Sequence, residues 1–275
     1  PPVGFPIIPL MEGWIRHEDG SRTLVFGYIN RNEEDVDVPI GDNNFIEPAE
    51  FNGMQPEHFE SGRGAQVFSV TLPPDRANED VWWNIRSGNN NELLRIPGRA
   101  RDGAYELDFD RPRPQGALPP RVGVGEDGAQ SPGVMAVIAD YPQTVRAGEE
   151  VDLAVNAVDP SVRDTSDQRF EEPLDLGVHW FKHQGPGKVE FIRHPDAPAA
   201  EIPYDEEDPR FSRWRGDNPQ TGKIEAGSGV AKVLATFSEP GQYIIRTTVE
   251  NWTAPDSSQG DQCCATNVFQ RVTVR

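Results

Sequence analysis

Apolar and polar residues alternate at period two along much of this chain, and no stretch of comparable length shows a helical period, which restricts it to β-strands. Over 150–158, Val151, Leu153, Val155 and Ala157 fall on one face, with Asp152 and Asn156 on the other. Over 230–237 the apolar face is Ala231, Val233, Ala235 and Phe237, and over 242–249 it is Tyr243, Ile245 and Val249 with Thr247 between. The chain closes with Val268, Val272 and Val274 alternating against Phe269, Arg271 and Thr273. Turn sequences at 147–148, 185–187 and 240–241 separate these strands, and 26 Gly with 26 Pro in 275 residues suit short strands joined by loops.

The first part has the same character. Segments 14–17 and 22–30 flank Glu18-Asp19-Gly20-Ser21, a hairpin signal. Phe68, Val70 and Leu72 share one side of 66–72, and Trp82 and Trp83 point to opposite faces of 81–86. The expected fold is all-β: two antiparallel β-sandwiches, over 1–110 and 134–275, joined by a Pro- and Gly-rich linker at 111–133. A long insert at 195–229 interrupts the second.

From 134 to 275 the order of features resembles the PKD-like and bacterial immunoglobulin-like domains of periplasmic and cell-surface proteins. The residues that carry this are PQTVRAGEEVDLAVNAVDP, then GVHWFK with Trp180 as central core residue, then FSEPGQYIIRTTVEN. The resemblance implies that both sandwiches are immunoglobulin-like and that Tyr243 pins the neighbouring corner. It also implies a periplasmic or extracellular location. The first half is similar to uncharacterised exported bacterial proteins, a likeness that brings no activity. The opening Pro1-Pro2, without an initiator Met, is expected from removal of an export signal or from a boundary within a longer chain.

A net charge of −19, from 45 acidic and 26 basic residues, repels nucleic-acid phosphates and anionic membrane surfaces. No apolar run approaches the roughly 20 residues that span a bilayer, so no transmembrane segment is expected. No Walker sequence, HExxH or GxSxG occurs, and no acid–base pair can be placed in a common cleft, so the chain is not expected to be an enzyme. The GxGxxG pattern at 123–128 lacks the strand before and the helix after that a dinucleotide needs, and reads as flexible linker.

Five histidines occur. His179 and His183 share a strand face but lie roughly 13 Å apart, too far to hold one metal, although His194 can approach His179 across the turn at 185–187. Acidic groups cluster at 33–37, 164–167 and 205–208 without the ordered spacing of a calcium loop, so solvated charge is the preferred reading and no cofactor is expected. The adjacent Cys263 and Cys264 form a vicinal disulfide or stay as free thiols, since redox catalysis normally uses a CxxC spacing. The sequon at 251–253 is given no role.

Protein partners are the expected ligands. Within the insert, Tyr204, Arg210, Phe211, Arg213, Trp214 and Arg215 combine the residue types that dominate interface hot spots. A weaker candidate surface is 43–59, with Phe45, Phe51, Met54 and Phe59, and the extended opening 1–10 is a further segment suited to lie along a neighbour. The function expected is that of a non-catalytic structural or accessory subunit, docked on a membrane complex or repeated in a filament. The alternative is a carbohydrate-binding or adhesive module that stacks sugars on Trp82, Trp83 or Trp214.

Overall fold

The computed structural model describes residues 3–107, 117–198, 207, 217–251 and 265–275. The first sandwich opens with β1 (Ile8–Arg16) and β2 (Arg22–Asn30), an antiparallel hairpin. Gly20 carries the positive φ of 87° that the turn needs, and Asp19 Oδ1 accepts the Ser21 amide at 2.9 Å. A two-residue ribbon follows from β3 (Val36–Asp37) and β5 (His58–Phe59), with β4 (Asn44–Glu47) between them in sequence. Next comes β6 (Gly62–Leu72), which pairs with β2, giving a sheet ordered β1-β2-β6. Facing it, β7 (Val81–Ser87) and β8 (Glu92–Gly98) join β4 in the order β4-β7-β8.

Two sheets of three strands enclose little volume, and aromatic rings fill it. Phe26 stacks on Phe68 at 5.0 Å, Trp83 stands edge-on to Phe68 at 5.0 Å, and Tyr28 meets Phe59 edge-on at 5.0 Å. Trp83 also donates through Nε1 to Asn44 Oδ1 at 3.0 Å, so its polar edge is satisfied inside the core.

The second sandwich contains β9 (Arg121–Val124), β10 (Val137–Asp140), β11 (Val151–Val158), β12 (Leu176–Gln184), β13 (Val189–Arg193), β14 (Thr221–Ile224), β15 (Ser228–Phe237), β16 (Gly241–Glu250) and β17 (Ala265–Val274). One sheet runs β10-β17-β16-β12-β14 and the other β13-β15-β11-β9. All pairings are antiparallel except β10 with β17. Alternate residues point inward as the period-two pattern requires. Val151, Leu153, Val155 and Ala157 meet Val178, Trp180, Tyr243, Ile245 and Val249 in one buried cluster.

The Tyr243 hydroxyl donates to the Glu239 carbonyl at 2.8 Å, the corner geometry of immunoglobulin-like sandwiches, and its ring packs on Phe237 at 4.8 Å. Gly185 leaves room for that ring, because a Cβ there would sit 2.4 Å from Tyr243 Cδ1. The chain is therefore all-β, with no α-helix among the described residues, and none long and apolar enough to cross a membrane.

Three segments differ from their sequence-based expectation. Residues 121–124, inside the stretch read as linker, are β9, whose Val122 is fully buried in the second core. Gly123 and Gly128 are closely packed: a Cβ on either would sit 2.3 Å or less from a backbone carbonyl oxygen, and Asn156 Nδ2 donates to the carbonyls of Gly125 and Gly128. The opening segment is partly built into the first sandwich, with Val3 and Phe5 left exposed. Ile7 is fully buried in the first core, and the Gly4 and Phe5 amides both donate to Asn32 Oδ1, at 2.6 and 2.8 Å.

Candidate functional site

The sheet β10-β17-β16-β12-β14 is buried over its inner face and over part of its outer one. Its inner face closes the second core, and on its outer face Phe269, Ile244 and His183 are buried, with His183 reaching the Met54 carbonyl of the first sandwich. The loop 53–57 supplies much of the seam. Gln184 Nε2 donates to the carbonyls of Gly53 (2.9 Å) and Gln55 (2.8 Å), and the Glu57 amide donates to the His183 carbonyl (2.8 Å). Glu57 Oε2 in turn accepts the Gly185 amide at 2.9 Å. At the far side, Asn267 Nδ2 donates to the Gln66 carbonyl at 2.7 Å, and Val134 joins Ile15 and Val25 in a small apolar cluster.

Electrostatics in the seam follow from desolvation. His183 lies edge-on to Phe269 and makes one polar ring contact, Nε2 to the Met54 carbonyl at 2.8 Å, so Nε2 carries the proton. Burial, reinforced by the charge of Arg246, pulls its pKa down to about 3. Burial also lowers the Arg246 guanidinium, which lies 4.3 Å from the Phe181 ring centroid, near Tyr28 and Glu60. Tyr28 is pushed up to about 12 by the same loss of water.

Where the seam reaches the surface it opens into a groove of about 560 Å³. One wall is the β3–β5 ribbon with Glu34, Asp35 and His58, the other is 187–191 leading along β13, and 218–220 closes one end. Lys182 joins the walls, with Nζ 3.2 Å from Asp37 Oδ1 and 2.6 Å from the Gly187 carbonyl. Gln220 Nε2 donates to Glu60 Oε1 at 2.9 Å, a further polar bridge between the sandwiches.

Beside the groove stands the neck of the long insert. Arg193 forms a two-pronged ion pair with Asp217, and its remaining N–H groups reach the carbonyls of Pro198, Asn218 and Thr221 at 3.3 to 3.4 Å. One guanidinium thus gathers both feet of the intervening segment, a role suited to its planar fork of donors. The hot-spot residues expected there, Tyr204, Arg210, Phe211, Arg213, Trp214 and Arg215, lie outside the described residues, as do Cys263 and Cys264.

The remaining sequence candidates are placed as follows. Trp83 is fully buried and has no face for a sugar, while Trp82 is half-buried with the Arg95 guanidinium 4.2 Å from its ring centroid. In the candidate surface 43–59, Phe59 is in the first core, Phe51 packs against it, and the backbone around Met54 is taken up by the seam. His194, after β13, lies 3.0 Å from Asp152, and His179, on β12 of the other sheet, lies 3.8 Å from Glu250. Asp164 and Asp167 accept turn amides of Ser166 and Arg169. Among the described residues no three His, Cys, Asp or Glu side chains are grouped to hold a metal.

The seam and the groove were not anticipated from the sequence. The available signal was apolar residues on both faces of a strand, Phe181, Ile244 and Phe269 opposite Trp180, Ile245 and Val268, which marks a sheet covered on both sides.

Among solved structures, the chain is similar to the ASH/PapD-like domain 7 of human CEP192, at 14% identity and a TM-score of 0.26, over 64% of this chain and 99% of that one. It is also similar to the D00-D0 domains of intimin (12% identity, TM-score 0.27, 98% of this chain and 99% of that one). The D0-D1 domains of intimin give 9% identity and a TM-score of 0.23, over 97% of each chain. No protein-family model and no curated protein matches the chain. The strand order, the core around Trp180 and the tyrosine corner are those of an immunoglobulin-like sandwich.

Proposed function

We propose that this chain is a non-catalytic accessory or structural module of a periplasmic or cell-surface assembly, and that residues 204–215 contact its protein partner. The observation that carries this is the neck built by Arg193. Its guanidinium holds Asp217 and the Pro198 carbonyl together, the two points between which residues 199–216 run in sequence. That segment carries Tyr204, Phe211 and Trp214 with Arg210, Arg213 and Arg215, large contact area beside strong donors.

Catalysis finds little support in the histidine environments. His183 is sealed in the seam, His58 lies 2.9 Å from Asp37, and His17 lies 2.7 Å from the Thr23 hydroxyl. A sugar-binding reading is weakened by the burial of Trp83 and the arginine over Trp82.

The test compares native assembly of wild type with the double variant Arg213→Ala, Trp214→Ala, by size and composition of the complex recovered from envelope extracts. Assembly should weaken while the melting temperature of the isolated chain stays unchanged. Unaltered assembly contradicts the proposal, and binding of the wild type on a glycan array would favour the adhesive alternative.

A further inference from the structure

The sheet edges are treated differently along this molecule. At β9, Val122 and Ser131 exchange both backbone hydrogen bonds at 3.0 Å, so part of that edge is capped. At β1, the Trp14 carbonyl accepts the Leu107 amide at 2.7 Å, and Trp14 bridges to Glu106. Both caps come from the chain's own backbone. At β13 the register settles which groups remain. The Ser238 amide donates to the Lys188 carbonyl, so Lys188, Glu190 and Ile192 face β15. Consistently, the Phe237 carbonyl, opposite Val189, turns away from β13 to accept the Gly148 amide.

The N–H and C=O groups of Val189, Phe191 and Arg193 therefore point outward, and no backbone or side-chain group among the described residues takes them. Five residues of such an edge offer roughly 17 Å of strand template. An exposed edge is normally an aggregation hazard. Here its first part, Val189 to Phe191, lines the groove of about 560 Å³, whose opposite wall is the β3–β5 ribbon, and Arg193 continues the edge beyond it.

The groove also has a charge preference. Glu34, Asp35, Asp37, Glu60 and Glu190 line it against Lys182 and Lys188, and Lys182 is already paired with Asp37. Glu34 and Glu190 are exposed on opposite walls. A strand added to β13 would alternate its side chains between the two faces of the extended sheet, so every second residue shares one environment.

We propose that this groove binds an extended, lysine- or arginine-rich peptide segment of a partner protein as an added strand on β13. Main-chain bonds to Val189, Phe191 and Arg193 supply the affinity, and the carboxylates select basic side chains. This site is separate from 204–215 and does not depend on the reading given to that segment.

The test titrates the full chain with an acetylated, amidated seven-residue peptide alternating lysine and threonine. Two analogues are compared, N-methylated either on the lysine amides or on the threonine amides. Only one set of amides faces the β13 edge, so the analogues should differ in affinity by about tenfold or more. Hydrogen exchange should slow at the amides of Val189, Phe191 and Arg193 on binding. The double variant Glu34→Lys, Glu190→Lys should bind about tenfold more weakly. Arg213→Ala with Trp214→Ala should leave peptide affinity unchanged, so failure of either proposal is distinguishable from failure of the other.

Equal binding of the two analogues would show charge attraction without strand addition and would overturn the proposal, as would no binding at all. Binding that emerges only after Arg210, Arg213 and Arg215 are replaced by Ala would mean that the chain's own segment fills the groove. Self-association abolished by the Glu34→Lys, Glu190→Lys variant would assign it to a second copy. Either result would overturn an external partner.

Discussion

The two sandwiches solve the same packing problem with different side chains. In the first, sheets of three strands close on stacked and edge-on rings, Phe26, Phe68, Trp83, Phe59 and Tyr28. In the second, sheets of five and four strands close on Val, Ala, Leu and Ile around Trp180 and Tyr243. Broad sheets bury enough area with small branched side chains repeated at period two, whereas narrow ones concentrate the burial in a few large residues. The first core should therefore depend more on single positions than the second.

The largest effect expected from that contrast is at Trp83, fully buried and bonded to Asn44. Trp83→Ala should cost about 3–5 kcal/mol, and Val233→Ala in the second core roughly 1–3 kcal/mol, both read from urea unfolding. Equal costs would break the contrast.

Acid should act next, through the seam that joins the two. His183 is held near pKa 3 when folded against 6.5 when exposed, so the unfolded chain takes up its proton first as the pH falls. The folded state then loses stability progressively from about pH 6.5 down to about pH 3, and the full contribution is present only above that window. His183→Gln should flatten this part of the pH–stability profile, and an unchanged profile would remove His183 from the account.

A smaller change is expected from Gln184→Ala, which strips the Gly53 and Gln55 carbonyls of their donor and should cost about 2 kcal/mol. If the seam couples the sandwiches, both should melt earlier. Loss confined to one of them would sharpen the comparison into two independent units. Tyr243→Phe should cost least, about 1 kcal/mol for the lost bond to Glu239, with no change at the seam as judged by hydrogen exchange of the Glu57 amide.

Legibility in the sequence follows the same contrast. In the second sandwich, half-buried strands write their burial directly into alternation, so Val151 to Ala157 and Ala231 to Phe237 are readable by eye. Trp180 and Tyr243 stand where the resemblance to immunoglobulin-like domains places them. The outer face of β16 and β17 was hidden, because Arg246, Thr248 and Arg271 read as solvent-facing and mask Ile244 and Phe269 beside them. β9 was hidden by Gly123 and the glycines that follow it, which look like linker in isolation although Gly123 lies close against Asn156.

The candidate sites differ likewise. Residues 204–215 stand out by composition within one continuous stretch. The groove does not, since its carboxylates at 34–37, 60 and 190 come together only when the second sandwich docks on the first. No local pattern encodes a meeting of that kind.

That docking is the central claim, and an interdomain distance tests it directly. Spin labels on exposed Asp75 of the first sandwich and exposed Glu149 of the second, with Cys263 and Cys264 replaced by Ser, report the separation of the two halves in the full chain. One narrow distance distribution, unchanged between low and moderate salt, is predicted because the seam is built of buried rings and backbone hydrogen bonds. A broad or multimodal distribution would show the sandwiches moving apart and would contradict the seam and, with it, the groove.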